Sequence, residues 1–170
     1  MEQVILVDTE DNAIGLMEKM EAHEKALLHR AFSVFVFDTQ GRMLIHRRAL
    51  SKYHSGGLWT NTCCSHPRAE ESAQEAAHRR LQEEMGFDCD LDYRFHFVYK
   101  AELDQGLTEH ELDHVFTGVY EGEIEPEPEE VMDYLYITMA DLDKELAEDP
   151  SRYTEWFKIA LPTVREHLGI

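Results

Sequence analysis

Short apolar segments separated by polar turns run along this chain and predict a protein built largely from β-strands. Runs of apolar, β-branched and aromatic residues bounded by turn residues are typical of strands. Such runs cover residues 4–7, 31–37, 43–46, 91–101, 112–120 and 131–137. A polar turn at 38–41 joins the second and third runs, which predicts a β-hairpin. Residues 51–60 contain serine and glycine without a clear period and predict a loop.

Three further segments predict helices. Residues 70–85 have the strongest helical spacing of apolar positions, and Gly86 is a typical helix end. Residues 138–147, which begin with a threonine cap, and residues 151–167 predict two more helices. Pro162 lies inside the last segment and predicts a kink or an early end. Mixed strands with a few helices indicate an α+β fold.

Composition narrows the function classes. The chain has 170 residues, 43% of them hydrophobic, which suits a single folded domain over residues 1–170. It has 35 acidic and 16 basic side chains and a formal charge of −19. Nucleic acid and anionic membrane surfaces are bound by basic faces, so neither is an expected partner. The glutamate-rich segment 121–130 predicts a solvated loop.

Cysteine count and hydropathy predict the compartment. Three cysteines are too few for a disulfide framework, and no apolar stretch is long enough for a secretion signal or a membrane helix. We therefore expect a cytoplasmic protein. A monomer is expected as well, although no feature of the sequence determines the oligomeric state.

The predicted helix at 70–85 carries the first chemical signal. The segment 65–87 resembles the signature of the Nudix superfamily, in which a helix presents glutamates to Mg²⁺ on a diphosphate. The matching positions are Glu71, Arg79, Leu81, Glu83, Glu84, Gly86 and Phe87. Ser65 replaces the usual glycine and Arg80 the usual glutamate. Because Arg80 adds a cation where a metal ligand is usual, the segment favours an enzyme that holds a diphosphate intact over one that cleaves it. The alternative is a charged surface helix.

A second signal comes from histidines and glutamates. Glu109 and Glu111 are two residues apart, so on a strand both side chains point to one face. With His23, His29 and His66 they form a donor set that suits Zn²⁺ or Mn²⁺ better than Ca²⁺. His23 and His29 are six residues apart, which is not one helical face, so they converge only through a bend or loop. The chain has ten histidines, and most histidines are ordinary surface or core residues.

Several ordered motifs together resemble one enzyme family. They are the segment 59–67 (WTNTCCSHP), the triplet 109–111 (EHE), the segments 28–33 and 47–52, and Tyr99. This set is similar to type I isopentenyl-diphosphate isomerases, which have a Nudix-like mixed β-sheet flanked by helices. The resemblance spans almost the whole chain.

The resemblance implies two metal sites. One divalent ion, Mn²⁺, Zn²⁺ or Mg²⁺, would be bound by His23, His29, His66, Glu109 and Glu111. A Mg²⁺ on the substrate diphosphate would be bound by Glu84 and the backbone carbonyl of Cys64.

The resemblance also implies how a small diphosphate substrate is held and converted. The implied diphosphate contacts are Lys19, Arg48, Lys52, Ser65 and Arg80. Trp156 would face a carbocation formed when the carbon–carbon double bond of isopentenyl diphosphate moves to give dimethylallyl diphosphate.

Proton transfer in that reaction needs an acid and a base on opposite faces of the substrate. We expect Glu111, tuned by Tyr99, to deliver the proton and Cys64 to remove one, with the reverse assignment open. Adjacent residues of an extended segment face opposite ways, so only one of the two cysteines is expected to enter the pocket, and the resemblance implies that it is Cys64. Cys63 and Cys89 are expected to be small buried hydrophobes. Two alternatives are a Nudix hydrolase of a nucleoside diphosphate derivative and a non-catalytic binding module.

Overall fold

A computed structural model describes residues 2–170 of the chain. Its strands are β1 Gln3–Val7, β2 Ala13–Glu18, β3 His29–Phe37, β4 Met43–Arg48, β5 Trp59–Thr60, β6 Cys63–Ser65, β7 Asp92–Glu102, β8 Thr108–Val119 and β9 Val131–Ile137. Its helices are α1 Lys19–Lys25, α2 Ala73–Met85, α3 Met139–Glu148 and α4 Glu155–Leu168, with a 3₁₀ turn at Pro150–Arg152 before α4. Within these described residues no helix is both long and apolar enough to cross a membrane.

Strand β3 organises one mixed sheet. It pairs in antiparallel fashion with β1, β4 and β6 and in parallel with β8, which in turn pairs with β7. The β3–β8 register runs from His29 opposite Glu111 to Phe37 opposite Val119. Strands covered on both faces read as nearly continuous apolar runs, and β3 has this pattern because both of its faces are buried.

Helices cover both faces of the sheet. The α2 residues Ala77, Leu81 and Met85 pack on Phe32 and Phe116 in one core. Helices α3 and α4 cover the other face. The core between them and the sheet contains Phe35, Ile45, Leu142, Phe157 and Leu161. The predicted α+β class, a mixed sheet flanked by helices, is confirmed.

Most predicted elements are present, and the differences have physical causes. Helix α2 begins at Ala73 because Ser72 and Glu75 form a reciprocal capping box. It ends at Gly86, which has φ +72°, and a Cβ there would lie 2.1 Å from the Glu125 carbonyl oxygen. Strand β2 and helix α1 were not predicted: β2 is exposed on both faces, and α1 has only seven residues.

The predicted early end at Pro162 is wrong. Helix α4 starts at Glu155, behind a Thr154 cap, and continues through Pro162 to Leu168. Pro162 is exposed, so water can solvate the carbonyl that the missing N–H leaves without a helical partner. Buried Leu161 and Val164 hold the helix on the core at either side of the proline.

Two predicted loops are more ordered than expected. Residues 59–60 of the predicted 51–60 loop form β5, which pairs with β4. The segment 121–130 is irregular but is not simply solvated. Backbone amides in it donate to the Met85 and Glu84 carbonyls at the end of α2, and Ile124 packs against the α2 core. The segment therefore satisfies the last turn of the helix, whose carbonyls lack helical partners.

Candidate active site

A cavity opens above the sheet where α1, the β4–β5 loop, β6, α2, β8 and α4 meet. Its lining residues are Glu2, Lys19, Arg48, Lys52, Tyr53, His54, Cys64, Ser65, His66, Arg80, Glu84, Glu109, Glu111, Glu130 and Trp156. We call the cluster of His23, His29, His66, Tyr99, Glu109 and Glu111 the imidazole end; His66, Glu109 and Glu111 line the cavity, and the other three pack against them. We call the part formed by Lys19, Arg48, Lys52 and Arg80 the cationic end.

Three histidines from three elements converge at the imidazole end. His23 lies at the end of α1, His29 begins β3 and His66 follows β6. Their ring centroids are 5.0 to 5.6 Å apart, and none is more than 6% exposed. A turn at Ala26, with φ +55°, lies between His23 and His29 and brings them together, as their spacing predicted. Four side chains here, His23, His29, His66 and Glu111, have ligand atoms within 4.8 Å of one another.

Strand register places the carboxylates beside these rings. Glu109 and Glu111 share the buried face of β8, and His110 points away to the Ala26 carbonyl. Because His29 lies opposite Glu111 in the parallel β3–β8 pair, its Nε2 is 3.0 Å from Glu111 Oε2. His66 Nε2 approaches the same oxygen at 2.7 Å.

Tyr99 connects the two carboxyl groups. It lies opposite Glu111 in the β7–β8 register, and its hydroxyl is 2.7 Å from Glu109 Oε2 and 2.6 Å from Glu111 Oε1. A hydroxyl has one proton to donate, so the second contact requires a protonated carboxyl. Burial and the neighbouring Glu111 charge raise the pKa of Glu109 well above its usual range. The protonated partner is therefore Glu109.

Glu111 carries the negative charge of the pair. Burial opposes ionisation, but the His66 and His29 rings hold the pKa of Glu111 well below its usual range. Burial also opposes a charge on His29, yet its hydrogen bond with Glu111 raises the pKa of His29. Burial lowers the pKa of His23 to about 4, so that ring is neutral at pH 7.

The imidazole end fits a divalent metal. The Nδ1 atoms of His23 and His29 face the Lys19 and Leu27 carbonyls at 2.7 and 2.8 Å, so these nitrogens hold the protons and Nε2 points into the site. Such bonds to the far ring nitrogen are the usual way that metal-binding histidines are oriented. His23 Nε2 is buried and has no hydrogen-bond partner among the described residues. Neutral imidazoles and carboxylates are the donors that Zn²⁺ and Mn²⁺ accept.

The cationic end is already filled with carboxylates. Lys19 Nζ is 2.9 Å from Glu2 Oε2, and Lys52 Nζ is 2.5 Å from Glu130 Oε2. Arg80 Nη2 lies 3.0 Å from Glu84 Oε1 and 3.4 Å from Glu130 Oε1. An incoming diphosphate would exchange with these internal acids.

Arg48 differs from the other cations because it is buried inside the pocket wall. Its Nη2 donates to the His54 carbonyl at 3.1 Å, and its Nε has no partner within residues 2–170. The Trp156 ring lies 5.0 Å from the guanidinium carbon. Trp156 is thus part of the cavity and not only of the α4 core.

The two adjacent cysteines face opposite ways, as the strand alternation predicted. Cys64 lines the cavity, and Cys63 is fully buried against α2. Cys63 is more than a small hydrophobe, however, because its thiol donates to Glu84 Oε2 at 2.8 Å. Burial, together with nearby Glu109, raises the pKa of the Cys64 thiol well above its usual range. Cys89 is half-buried against the α2 core and away from the cavity.

Comparison with known proteins gives the family. The NUDIX domain profile matches residues 27–157. Isopentenyl-diphosphate Delta-isomerase of Serratia proteamaculans is 49% identical over 168 residues, 99% of this chain and 92% of that protein. Isopentenyl-diphosphate Delta-isomerase 2 of Aromatoleum aromaticum is 48% identical over 163 residues, 96% of this chain and 86% of that protein. This chain belongs to the isopentenyl-diphosphate Delta-isomerase family.

Solved structures of lower identity agree with the fold of this isomerase family member. Deinococcus radiodurans DR0079 has a TM-score of 0.72 at 17% identity, covering 86% of this chain and 90% of that one. The NUDIX domain of Shewanella oneidensis NrtR, complexed with ADP ribose, has a TM-score of 0.62 at 17% identity, covering 89% and 99%. The Nudix-like sheet expected from the α2 signature is confirmed.

The structure places the predicted site residues in the cavity lining or in contact with it, and four further residues line the cavity. Tyr53, His54, Glu2 and Glu130 also line the cavity. Tyr53 and His54 lie in an aperiodic loop, and Glu130 ends a glutamate-rich segment, so no spacing pattern marked them. Nothing in the sequence around Lys52 or Glu130 indicates that these two residues, so far apart in the chain, are in contact.

Proposed function

We propose that the cavity isomerises isopentenyl diphosphate to dimethylallyl diphosphate by moving one carbon–carbon double bond. One observation supports this most directly. Glu109 and Glu111 are joined through the Tyr99 hydroxyl, and they share a buried cavity with the Cys64 thiol. The other end of this cavity carries four cations. Acid–base groups at one end and a diphosphate site at the other match a substrate that is an alkene at one end and a trianion at the other.

The cationic end would hold the diphosphate. Arg48 and Arg80 have planar guanidinium groups suited to phosphate oxygens, and Lys19 and Lys52 add point charges. Ser65 would donate a hydroxyl. Glu84 and the Cys64 backbone carbonyl would bind Mg²⁺, which neutralises part of the diphosphate charge.

The chemistry at the imidazole end requires one proton to be added and one removed. Protonation of the terminal alkene carbon leaves a tertiary carbocation. Loss of a proton from the carbon between the cationic centre and the oxygen-bearing carbon then forms the new double bond. The Trp156 ring face would stabilise the cation through its quadrupole. The burial of this end keeps out water, which would otherwise add to the cation.

The proposed direction of these transfers is that of the sequence prediction, in which Glu111, tuned by Tyr99, delivers the proton and Cys64 removes one from the opposite face. The pKa directions do not assign the roles, because a raised pKa makes the Cys64 thiol a weak acid and a lowered pKa makes the Glu111 carboxylate a weak base. The reverse assignment is the alternative.

A divalent ion, Mn²⁺, Zn²⁺ or Mg²⁺, would be held by His23, His29, His66, Glu109 and Glu111. When bound, it would supply a positive charge that lowers the pKa of groups hydrogen-bonded to its carboxylate ligands. Glu109 would give up its proton to become a ligand, since carboxylates bind metals in the ionised form.

One assay tests the function. Purified protein with isopentenyl diphosphate and Mg²⁺ is followed by proton NMR in deuterated water. We expect dimethylallyl diphosphate with solvent deuterium at the terminal carbon. Release of inorganic phosphate without a dimethylallyl product would instead indicate the hydrolase alternative, against which the Arg80–Glu84 ion pair already argues.

A further inference from the structure

His54 is a buried histidine of the cavity to which neither the family resemblance nor the proposed mechanism gives a role. It lies in the loop between β4 and β5 and is only 2% exposed. The loop is anchored on both sides of it. Arg48 donates to the His54 carbonyl, and the Ser55 amide donates to the Asp104 carboxylate at 3.0 Å.

The backbone beside His54 is strained. Ser55 has φ +54°, the left-handed region that non-glycine residues rarely adopt. Strained residues persist where surrounding contacts over-determine them, and they cluster at functional sites. The position of the His54 ring is therefore fixed by the fold and does not result from a mobile loop.

The ring itself leaves one nitrogen free. Tyr53 and Trp156 pack edge-on against it at centroid distances of 4.3 and 5.5 Å. Nδ1 lies 3.1 Å from the Ser55 hydroxyl, and Nε2 is buried without a hydrogen-bond partner in the described chain. Nε2 lies 3.8 Å from Glu109 Oε1. Buried polar atoms are nearly always satisfied, so this one calls for a ligand.

The His54 ring lies near a second imidazole whose Nε2 has no partner in the described chain, that of His23. His23, His54 and Glu109 have ligand atoms that all lie within 4.8 Å of one another. His23 Nε2 also belongs to the neighbouring group with His29, His66 and Glu111. Donors that share one ion at about 2.1 Å lie no more than about 4.2 Å apart. Within the group of His23, His54 and Glu109 the spacing therefore needs only a small contraction around an ion, and His23 connects this group to the neighbouring one.

We propose that His54 Nε2 is a further ligand of the divalent metal, bound beside His23 and Glu109, so that the centre has four imidazoles. This deepens the proposed function and rests on its metal site. A fourth imidazole favours Zn²⁺ or Mn²⁺ over Mg²⁺, because imidazole nitrogen suits transition metals and Mg²⁺ prefers oxygen.

The test measures metal binding directly. Metal-free protein is titrated with Mn²⁺ and Zn²⁺ against a competing chelator, for the wild type, His54→Asn, His54→Gln and His46→Asn. Asparagine keeps a donor near Nδ1 and removes Nε2, while glutamine keeps a polar atom near Nε2. His46 is the matched control, since it is also buried but bonds the Thr62 carbonyl and belongs to neither metal group.

We expect His54→Asn to weaken Mn²⁺ binding at least about tenfold, with a smaller loss in His54→Gln and none beyond about twofold in His46→Asn. If His54→Asn binds Mn²⁺ as tightly as the wild type does, and likewise Zn²⁺, the proposal is overturned. Thermal unfolding of the metal-free variants shows whether they fold.

Pulsed electron paramagnetic resonance of Mn²⁺-loaded wild type needs no variant. We expect nitrogen couplings from four imidazoles. Three couplings would overturn the proposal, even if His54→Asn weakens binding, since His54 would then only position Glu109. A wild type that binds neither ion would overturn the metal centre itself, a result distinct from failure at His54 alone.

Discussion

The two ends of the cavity are built in different ways. At the imidazole end, His29, Tyr99 and the two glutamates stand on paired strands, and the β3–β8 and β7–β8 registers set which of them touch. His23, on α1, and His66, after β6, complete this end. At the cationic end, Lys19 begins α1, Lys52 lies in the β4–β5 loop and Arg80 on α2, and all three are partly exposed.

The two ends also differ in what a ligand must replace. A metal entering the imidazole end meets His23 Nε2, which has no partner among the described residues, and Glu109, whose pKa is raised by burial and by the Glu111 charge and which must lose its proton to bind. A diphosphate entering the cationic end displaces carboxylates, chiefly Glu2 and Glu130. The first end is therefore preformed, and the second works by exchange of one set of anions for another.

The largest expected effect is at Cys64, which lies between the two ends. Cys64→Ala removes a proton-transfer group and is expected to lower kcat by about 10³-fold or more. Cys63→Ala is the matched control and is expected to retain most of the activity, because its thiol is buried against α2 and does not line the cavity. Steady-state turnover of both variants makes the comparison. A larger loss in Cys63→Ala would show that the two cysteines have each other's roles.

The second largest effect is a loss of bound metal, which we expect only when the imidazole end is changed. We expect Glu109→Gln to lower bound metal and activity together, because it removes a ligand from the preformed end. Elemental analysis of purified protein gives the metal content. His110→Gln, on the opposite face of the same strand, is the control and should keep its metal. Full metal content in Glu109→Gln would remove Glu109 from the ligand set.

A smaller effect is expected when a cation is removed. Lys52→Ala should weaken binding of inorganic diphosphate by about tenfold and raise KM while metal content stays unchanged. Calorimetric titration and elemental analysis on the same sample give both values. If metal content falls as well, the two ends are not independent.

The smallest effect tests the exchange of anions. Glu130→Gln removes a carboxylate 2.5 Å from Lys52 and 3.4 Å from Arg80, so diphosphate no longer competes with it. We expect inorganic diphosphate to bind about two- to fourfold more tightly, as a partly exposed ion pair is worth little. Glu129→Gln, next in the chain, is the control for a general change in charge. Weaker binding in Glu130→Gln would mean that Glu130 positions the cations.

Local pattern was enough to predict most of the sheet and three of the four helices. Strands β1, β3, β4, β7, β8 and β9 and helices α2, α3 and α4 carry apolar periods, caps or turn residues that depend on few distant contacts. Exposed β2 and short α1 carry no such signal, since pairing with β1 and packing of Ala22 stabilise them. Pro162 shows the reverse case, in which tertiary packing overrides a local signal for a helix end.

The candidate site divides in the same way. The two-residue period of a strand determined from the sequence alone that Glu109 and Glu111 share one face and that only one of Cys63 and Cys64 reaches the cavity. The net charge of the whole chain, −19, likewise argued against nucleic-acid binding from the sequence alone.

Only the tertiary structure determined which residues distant in sequence are in contact. The contact of His29 with Glu111 depends on strand register, and the position of His54 beside Glu109 depends on a loop held by Arg48 and Asp104. The same holds for the carboxylates that occupy the few cations of an acidic chain. Such contacts join residues far apart in sequence, and their energies depend on burial and distance, which exist only once the chain has folded.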